Sequence, residues 1–236
     1  VEDLAKEYNS NLLRRTITGL IIALPLIFIA VIENYWIFLF LISIFSIAGF
    51  YEWIKNGFRR PILWGFNLIF IYFWLSMCLL VGFLSIPSFV FKEFYALHEL
   101  SAVSVYHIIL IIVVNTALFD IFAYVVGSNF GKLHISPYIS PNKTLEGLIG
   151  GLFGNILFGF LISYTLNISY WSVLICFFGG ILAFYGDLLI SFHKRDKAIK
   201  DTGNILPGHG GVLDRIDSHL LATPIMLLFF ILIVIL

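Results

Sequence analysis

Charge is what this chain has least of. Lysine and arginine number 14 among 236 residues, aspartate and glutamate another 14, and the formal net charge is zero. At 12% charged and 60% hydrophobic residues, it stands far from soluble domains, where about a quarter of residues are charged. This balance excludes a broadly basic surface for nucleic acid, and no run of like charges forms a tail. Cysteine is scarcer still. Cys78 and Cys176 fall in apolar runs without CxxC spacing, so they read as packing residues rather than disulfide or metal-binding ones. Neither a Walker A nor a GxGxxG pattern occurs, which excludes the standard soluble nucleotide folds. His193, His209 and His219 lack companions at zinc-binding spacing.

Long apolar runs are what the chain has in abundance. Crossing a hydrocarbon core of about 30 Å takes roughly 20 apolar residues in a helix, and only helices or closed barrels satisfy their own backbone groups in lipid. The runs predict an all-α integral membrane protein with seven spans, at Thr16–Ile32, Tyr35–Trp53, Leu63–Ile86, Val103–Val126, Leu145–Leu166, Trp171–Ile190 and Leu220–Leu236. They form one polytopic domain over residues 1–236, with N-terminal spans over 1–102 and the chemistry expected over 103–236. The run after Arg14 and Arg15 reads as a retained span rather than a signal peptide. Lys6, Arg14 and Arg15 precede the first span. Lys55, Arg59 and Arg60 follow the second, Lys132 and Lys143 the fourth, and a larger cluster the sixth. With seven spans these loops share one side, so the N-terminus is expected in the cytoplasm and the C-terminus outside. Lys92 falls opposite, in an aromatic stretch, Phe89–Tyr95, that reads as an interfacial segment. Trp36, Trp53, Trp64 and Trp171 lie near predicted span ends, as an aromatic belt requires.

Against that background, polar residues inside or between spans mark where chemistry concentrates. Asp120 and Asp187 lie within predicted spans, each about two turns from the cytoplasmic end, and an intramembrane acid is by default a functional-site hypothesis. Ser191 follows Asp187 by one helical turn, with Lys194 and Arg195 next. One helix would thus deliver an acid, a hydroxyl and two cations to one aqueous mouth. Between the fourth and fifth spans runs FGKLHISPYISPNKTLEGLIGG, Phe130 to Gly151. Thr144 is a candidate N-cap whose helix would offer free amides to a phosphate, with Lys143 adding a cation. Ser140 to Thr144 reads equally well as an ordinary loop. Gly147, Gly150, Gly151 and Gly154 read as close helix packing.

The densest polar segment is SFHKRDKAIKDTGNILPGHGGVLDRID, Ser191 to Asp217. Lys194, Arg195, Lys197, Lys200 and Arg215 alternate there with Asp196, Asp201, Asp214 and Asp217, a mixture suited to a polyphosphate held by cations and metal. Gly203, Gly208, Gly210 and Gly211 permit close backbone approach to a ligand. His209 reads as a hydrogen-bonding loop residue rather than a general base.

These residues resemble the phosphatidate cytidylyltransferase family, also called CDP-diacylglycerol synthases. The family's long signature has the form S-x-x-K-R, four residues, K-D, a glycine-containing link to P-x-H-G-G, and D-R-x-D. Here it reads Ser191, Lys194, Arg195, Lys200, Asp201, Gly203, Pro207, His209, Gly210, Gly211, Asp214, Arg215 and Asp217. Gly186-Asp187, Ser140 to Gly147, and Asp120 with Ala123 and Tyr124 are similar to further family elements. The resemblance is close from about Asp120 to the end and rests on hydropathy before it. His193 stands where an apolar residue is usual, and Ile121-Phe122 replaces the common Thr-Gly.

The resemblance implies transfer of CMP from CTP to phosphatidate, giving CDP-diacylglycerol and pyrophosphate, by a homodimer in a bacterial inner membrane with its site facing the cytoplasm. It implies Asp187, Ser191, Lys194, Arg195 and Asp214 as catalytic residues, with Asp187 and Asp214 holding Mg²⁺ and K⁺ as a second cation. Asp120, Asn142, Lys143, Thr144, Lys200, His209, Gly210, Gly211, Arg215 and Asp217 are the implied substrate-binding set. The chemistry suits the residues, because a lipid phosphate already carries negative charge and no protein nucleophile is required. The same chemistry on an ether or isoprenoid lipid phosphate is the alternative within enzymes. An ion-coupled transporter using Asp120 and Asp187 is the alternative outside them, and it leaves the dense Lys-Arg-Asp-Gly segment without a purpose.

Overall fold

The computed structural model describes residues 24–25, 27–85, 104–205 and 210–235. Six of its helices are long and apolar enough to cross a membrane: α1 Tyr35–Lys55, α2 Pro61–Ser85, α3 Val105–Phe130, α4 Leu145–Leu166, α5 Trp171–Asp196 and α6 Leu213–Ile235. The chain is an all-α integral membrane protein, apart from one small antiparallel hairpin of β1 His134–Ser136 and β2 Ser140–Thr144. Part of the first predicted span lies outside the described residues; its described residues, 24–25 and 27–32, are helical. The segment around Lys92 and the candidate His209 also lie outside them.

Local sequence explains where the helices start. Asn34 caps α1 by accepting from the amides of Trp36 at 2.9 Å and Ile37 at 3.2 Å, and Ser104 caps α3 through Tyr106. Thr144 caps α4 by accepting from Gly147 N at 3.2 Å. Each side-chain oxygen satisfies an amide that has no partner within its helix. Pro61 opens α2 at its first helical position, where a missing N–H costs nothing. The first part of α2, Pro61–Leu75, is wound as a π-helix, and α-helix continues from Ser76.

Four helices make the bundle core. α3 packs most extensively on α4, α5 on α6, and α4 on α5, while α1 and α2 lean on α6 from the other side. Of the six spans α6 is the most buried. Where α3 meets α4 there is no room for side chains on one face. A Cβ at Gly150 would lie 2.5 Å from Val126, one at Gly151 2.7 Å from the Phe119 ring, and one at Gly154 2.5 Å from the Phe122 ring. The glycine series is therefore a packing face, as its spacing predicts, and Phe122 is a wedge against it. Deeper in the bundle, Asn115 of α3 and Asn155 of α4 both donate to the Cys176 carbonyl of α5, at 3.3 and 3.1 Å. Both cysteines are free and buried.

Three expectations need correction. The last span begins at Leu213 rather than Leu220, which places Asp214, Arg215 and Asp217 on a helix instead of in a loop. Hydropathy overlooks these polar first turns because it weighs apolarity and not hydrogen-bond satisfaction. Ser140–Thr144 is a paired strand rather than an irregular loop. Trp53 is no belt residue. It is fully buried, packed edge-on to Phe58 at 5.4 Å and against the His193 ring at 4.7 Å, whereas Trp36, Trp64 and Trp171 are exposed. Replacing Gly150 with valine is expected to cost about 1–3 kcal/mol through overpacking, read as a lower Tm in detergent. Ile149→Val, on the exposed side of the same turn, should leave Tm near that of the unaltered protein.

Candidate active site

A cavity of about 260 Å³ opens where α3, α4, α5 and the hairpin converge, and its lining includes Asp120, Asn142, Lys143, Thr144 and Asp187. Each reaches it for a local reason. Asp120 projects from α3 and Asp187 from α5, within the apolar runs that form those helices. Strand β2 carries Asn142 and Lys143 to the rim and ends at the Thr144 cap of α4. The hairpin is clamped there because Glu146, in the first turn of α4, accepts from the amides of Lys132 at 3.0 Å and Leu133 at 3.2 Å.

Inside the cavity Lys143 Nζ lies 2.7 Å from Asp187 Oδ2 and 4.5 Å from the centre of the Phe184 ring. A carboxylate and an aromatic face therefore hold the same ammonium. One turn along α5, the Ser191 hydroxyl donates to Asp187 Oδ1 at 3.1 Å, the neighbour relation expected from their spacing. Gly186 matters on the other side of the helix. A Cβ there would lie 2.5 Å from the Asp217 carbonyl, so its absence brings α6 against α5 beside Asp187.

A second cluster surrounds Asp214 at the start of α6. Its Oδ1 accepts from Lys194 Nζ at 2.8 Å, and both side chains are buried. Its Oδ2 accepts from Thr202 N at 2.7 Å and Gly211 N at 3.0 Å, and the Thr202 hydroxyl lies 3.0 Å away, sharing its one proton between Asp214 and Glu52. Removing two charges from water is costly unless the remaining hydrogen-bonding positions are filled, and these donors fill them. Gly210 takes a φ of +81°, open to glycine at little cost, and so turns the chain toward Asp214. Glu52 of α1 completes the cluster from 160 residues away, accepting from Val212 N at 3.0 Å. It also accepts from Leu213 N and from Thr202 Oγ1, each at 2.8 Å.

Asp217 is buried where α6 meets α5: its Oδ1 accepts from Ser218 N at 2.8 Å, and its carbonyl occupies the space beside Gly186. Arg195 joins the hairpin to the end of α5, with Nε donating to Ile139 O and Nη1 to Ile199 O, both at 3.0 Å. Lys200 is exposed on the loop beyond. The structure thus unites Asp120, Asn142, Lys143, Thr144 and Asp187 in one cavity, and Lys194, Asp214 and Gly211 in the adjoining cluster. Asp187 and Asp214 do not share a partner among the described contacts.

The donor chemistry bears on the expected divalent ion. Asp187, with Asp120 in the same cavity and Asp217 within electrostatic range, offers the hard carboxylate oxygens Mg²⁺ prefers. Asp214 offers less, since Oδ2 already accepts two amide hydrogen bonds and only Oδ1 can exchange its partner. Among the described residues, no three ligand-type side chains stand close enough together to be recognised as a metal cluster.

Sequence reasoning missed Glu52 and Thr202. Glu52 lies within the predicted span Tyr35–Trp53 and is a third intramembrane carboxylate, so the signal that marked Asp120 and Asp187 marks it too. Thr202 carries no such signal. His193, the departure from the family pattern, is buried. Its Nδ1 lies 2.9 Å from the Leu189 carbonyl, and its ring packs against Trp53 and Phe58, the work of an apolar residue with one polar end satisfied.

The cytidylyltransferase family matches residues 69–233. A phosphatidate cytidylyltransferase of Thermotoga maritima is 41% identical over 130 residues, which cover 51% of this chain and 48% of that protein. One from Synechocystis sp. is 41% identical over 116 residues, covering 48% and 39%, and one from Staphylococcus aureus is 40% identical over 127 residues, covering 51% and 47%. The chain spans about half the length of these curated relatives or less. With the family match extending over well more than half of the chain and taking in the cavity and every member of the second cluster except Glu52, the chain belongs to the cytidylyltransferase family.

Proposed function

We propose that this chain transfers CMP from CTP to phosphatidate, forming CDP-diacylglycerol and pyrophosphate at the cytoplasmic face of a bacterial inner membrane. The observation that carries the reading is the cavity between α3, α4, α5 and the hairpin, where a lysine faces acidic side chains at the level of the helix ends. The relatives' names support the substrates, and the family resemblance alone supports a homodimer.

In this reading an oxygen of the phosphatidate phosphate attacks the α-phosphorus of CTP, the bond to the β-phosphate bridging oxygen breaks, and pyrophosphate leaves with that electron pair. No side chain need act as nucleophile, so the chain's contribution is alignment and charge neutralisation. Lys143 exchanges its Asp187 contact for substrate phosphate, with the amide-rich start of α4 beside it. Lys194 and Arg215 balance the charge that accumulates on the leaving group. Arg195, anchored to the hairpin carbonyl of Ile139, holds the rim over the triphosphate. Asp187 would hold Mg²⁺, with Asp214 contributing through Oδ1. When bound, the ion would neutralise phosphate charge and orient the reacting groups.

Purified protein is expected to release pyrophosphate from CTP only when phosphatidate and Mg²⁺ are both present; lipid-independent release would refute the acceptor assignment. Competition with ether-linked and isoprenoid phosphates in the same assay identifies the preferred lipid. Asp187→Asn should lower kcat by on the order of 100-fold, with helical content unchanged by circular dichroism. Orientation is tested separately. Asn204 is exposed and the native cysteines are buried, so an Asn204→Cys variant should react with an impermeant thiol reagent from the cytoplasmic side alone.

A further inference from the structure

We infer that Glu52 is a positioning residue for the transfer reaction, acting through Thr202 and the first turn of α6 on Asp214 and its Lys194 partner. The inference rests on the proposed cytidylyl transfer for its consequence on turnover, but not for its geometry. Glu52 is 1% exposed and sits near the end of α1, a helix that contributes nothing to the cavity lining. An ionised side chain there is expensive unless fully engaged. The carboxylate accepts from Val212 N through Oε1, and from Leu213 N and Thr202 Oγ1 through Oε2. It thereby supplies the anion that the start of α6 requires, both as hydrogen-bond acceptor and as counter-charge to the helix dipole.

Thr202 makes this more than a helix cap. Its hydroxyl lies 2.8 Å from Glu52 Oε2 and 3.0 Å from Asp214 Oδ2, with one proton between two carboxylates. Its amide also donates to Asp214, and its carbonyl accepts from Asn56 Nδ2 at 2.6 Å, one turn after Glu52. A hydroxyl has a single proton to give, so the position of Asp214 depends on the position of Glu52. Asp214 in turn fixes Lys194. Two glycines of the segment are small for the same reason. A Cβ at Gly203 would lie 2.6 Å from Glu52 Oε1, and one at Gly211 would collide with both Glu52 and Thr202. The signature glycines thus make room for a carboxylate from the other half of the chain.

The test uses the full chain in detergent with phosphatidate micelles, and kcat is normalised to folded protein. Glu52→Gln keeps the shape but replaces one acceptor with a donor facing amides. Thr202→Val keeps the shape but removes the hydroxyl. Each is expected to lower kcat on the order of 100-fold, the scale of an ångström-sized misplacement. The double variant should fall no further, and Thr202→Ser should restore turnover. Amide exchange at residues 202 and 211–213 should accelerate in Glu52→Gln. Ser172→Ala, which removes a buried hydroxyl at the far end of α5, should leave both kcat and that exchange unchanged.

Wild-type kcat in Glu52→Gln, losses that multiply in the double variant, or unchanged exchange at Val212 and Leu213 would each overturn the inference. If Glu52→Gln does not fold, Glu52→Asp, which keeps the charge but shortens the reach to Thr202 and the amides of Val212 and Leu213, carries the same decision by kcat and amide exchange. An unaltered protein that releases no pyrophosphate would sink the reaction assignment instead, and exchange would still judge the anchor.

Discussion

A helix that begins inside a protein must find partners for its first amides, and the arrangement here depends on how α6 does so. It is the central and most buried span, and it starts among side chains rather than in open water. Glu52 takes the amides of Val212 and Leu213, and Asp214 takes that of Gly211. Because the acceptors come from α1 and from α6 itself, the start of α6 and its contact with α1 rest on the same hydrogen bonds. Thr202, Gly211 and Val212 are held by the same carboxylates that start the helix.

The same economy governs charge. Lipid-facing helices leave few places where an ion can be solvated, so the two lysines that face the site are each paired with an aspartate. Lys143 meets Asp187, and Lys194 meets Asp214. Glycines set the distances between these pairs. Gly186 lets α6 approach α5 at Asp217, and Gly150, Gly151 and Gly154 draw α4 against α3 near Asp120. Neither set contributes a functional atom. Both determine which functional atoms can meet.

The C-terminal half was legible in sequence because its informative residues are anomalies: acids in apolar runs, and a dense polar segment between two spans. Five of the expected residues line one cavity for that reason. Glu52 is the same kind of anomaly, but it stands alone in its span with partners 150 to 161 residues away, and local spacing carries no trace of such a contact. Trp53 shows the complementary failure. A tryptophan at a span end suits the interface equally well by pattern, and only the docking of Phe58 and His193 decides that it is buried. The early start of α6 went unseen because hydropathy measures transfer to lipid, whereas the first turns of this helix are stabilised by carboxylates.

The contact between Lys143 and Asp187 has a consequence for how tightly an anion can be held. The ammonium already has a counter-ion at 2.7 Å, so an arriving phosphate does not gain a full ion pair; it trades places with a carboxylate. Binding is then an ion exchange, its free energy the difference between two pairings rather than the strength of either. Any anion that takes Lys143 from Asp187 therefore leaves that carboxylate in need of another cation.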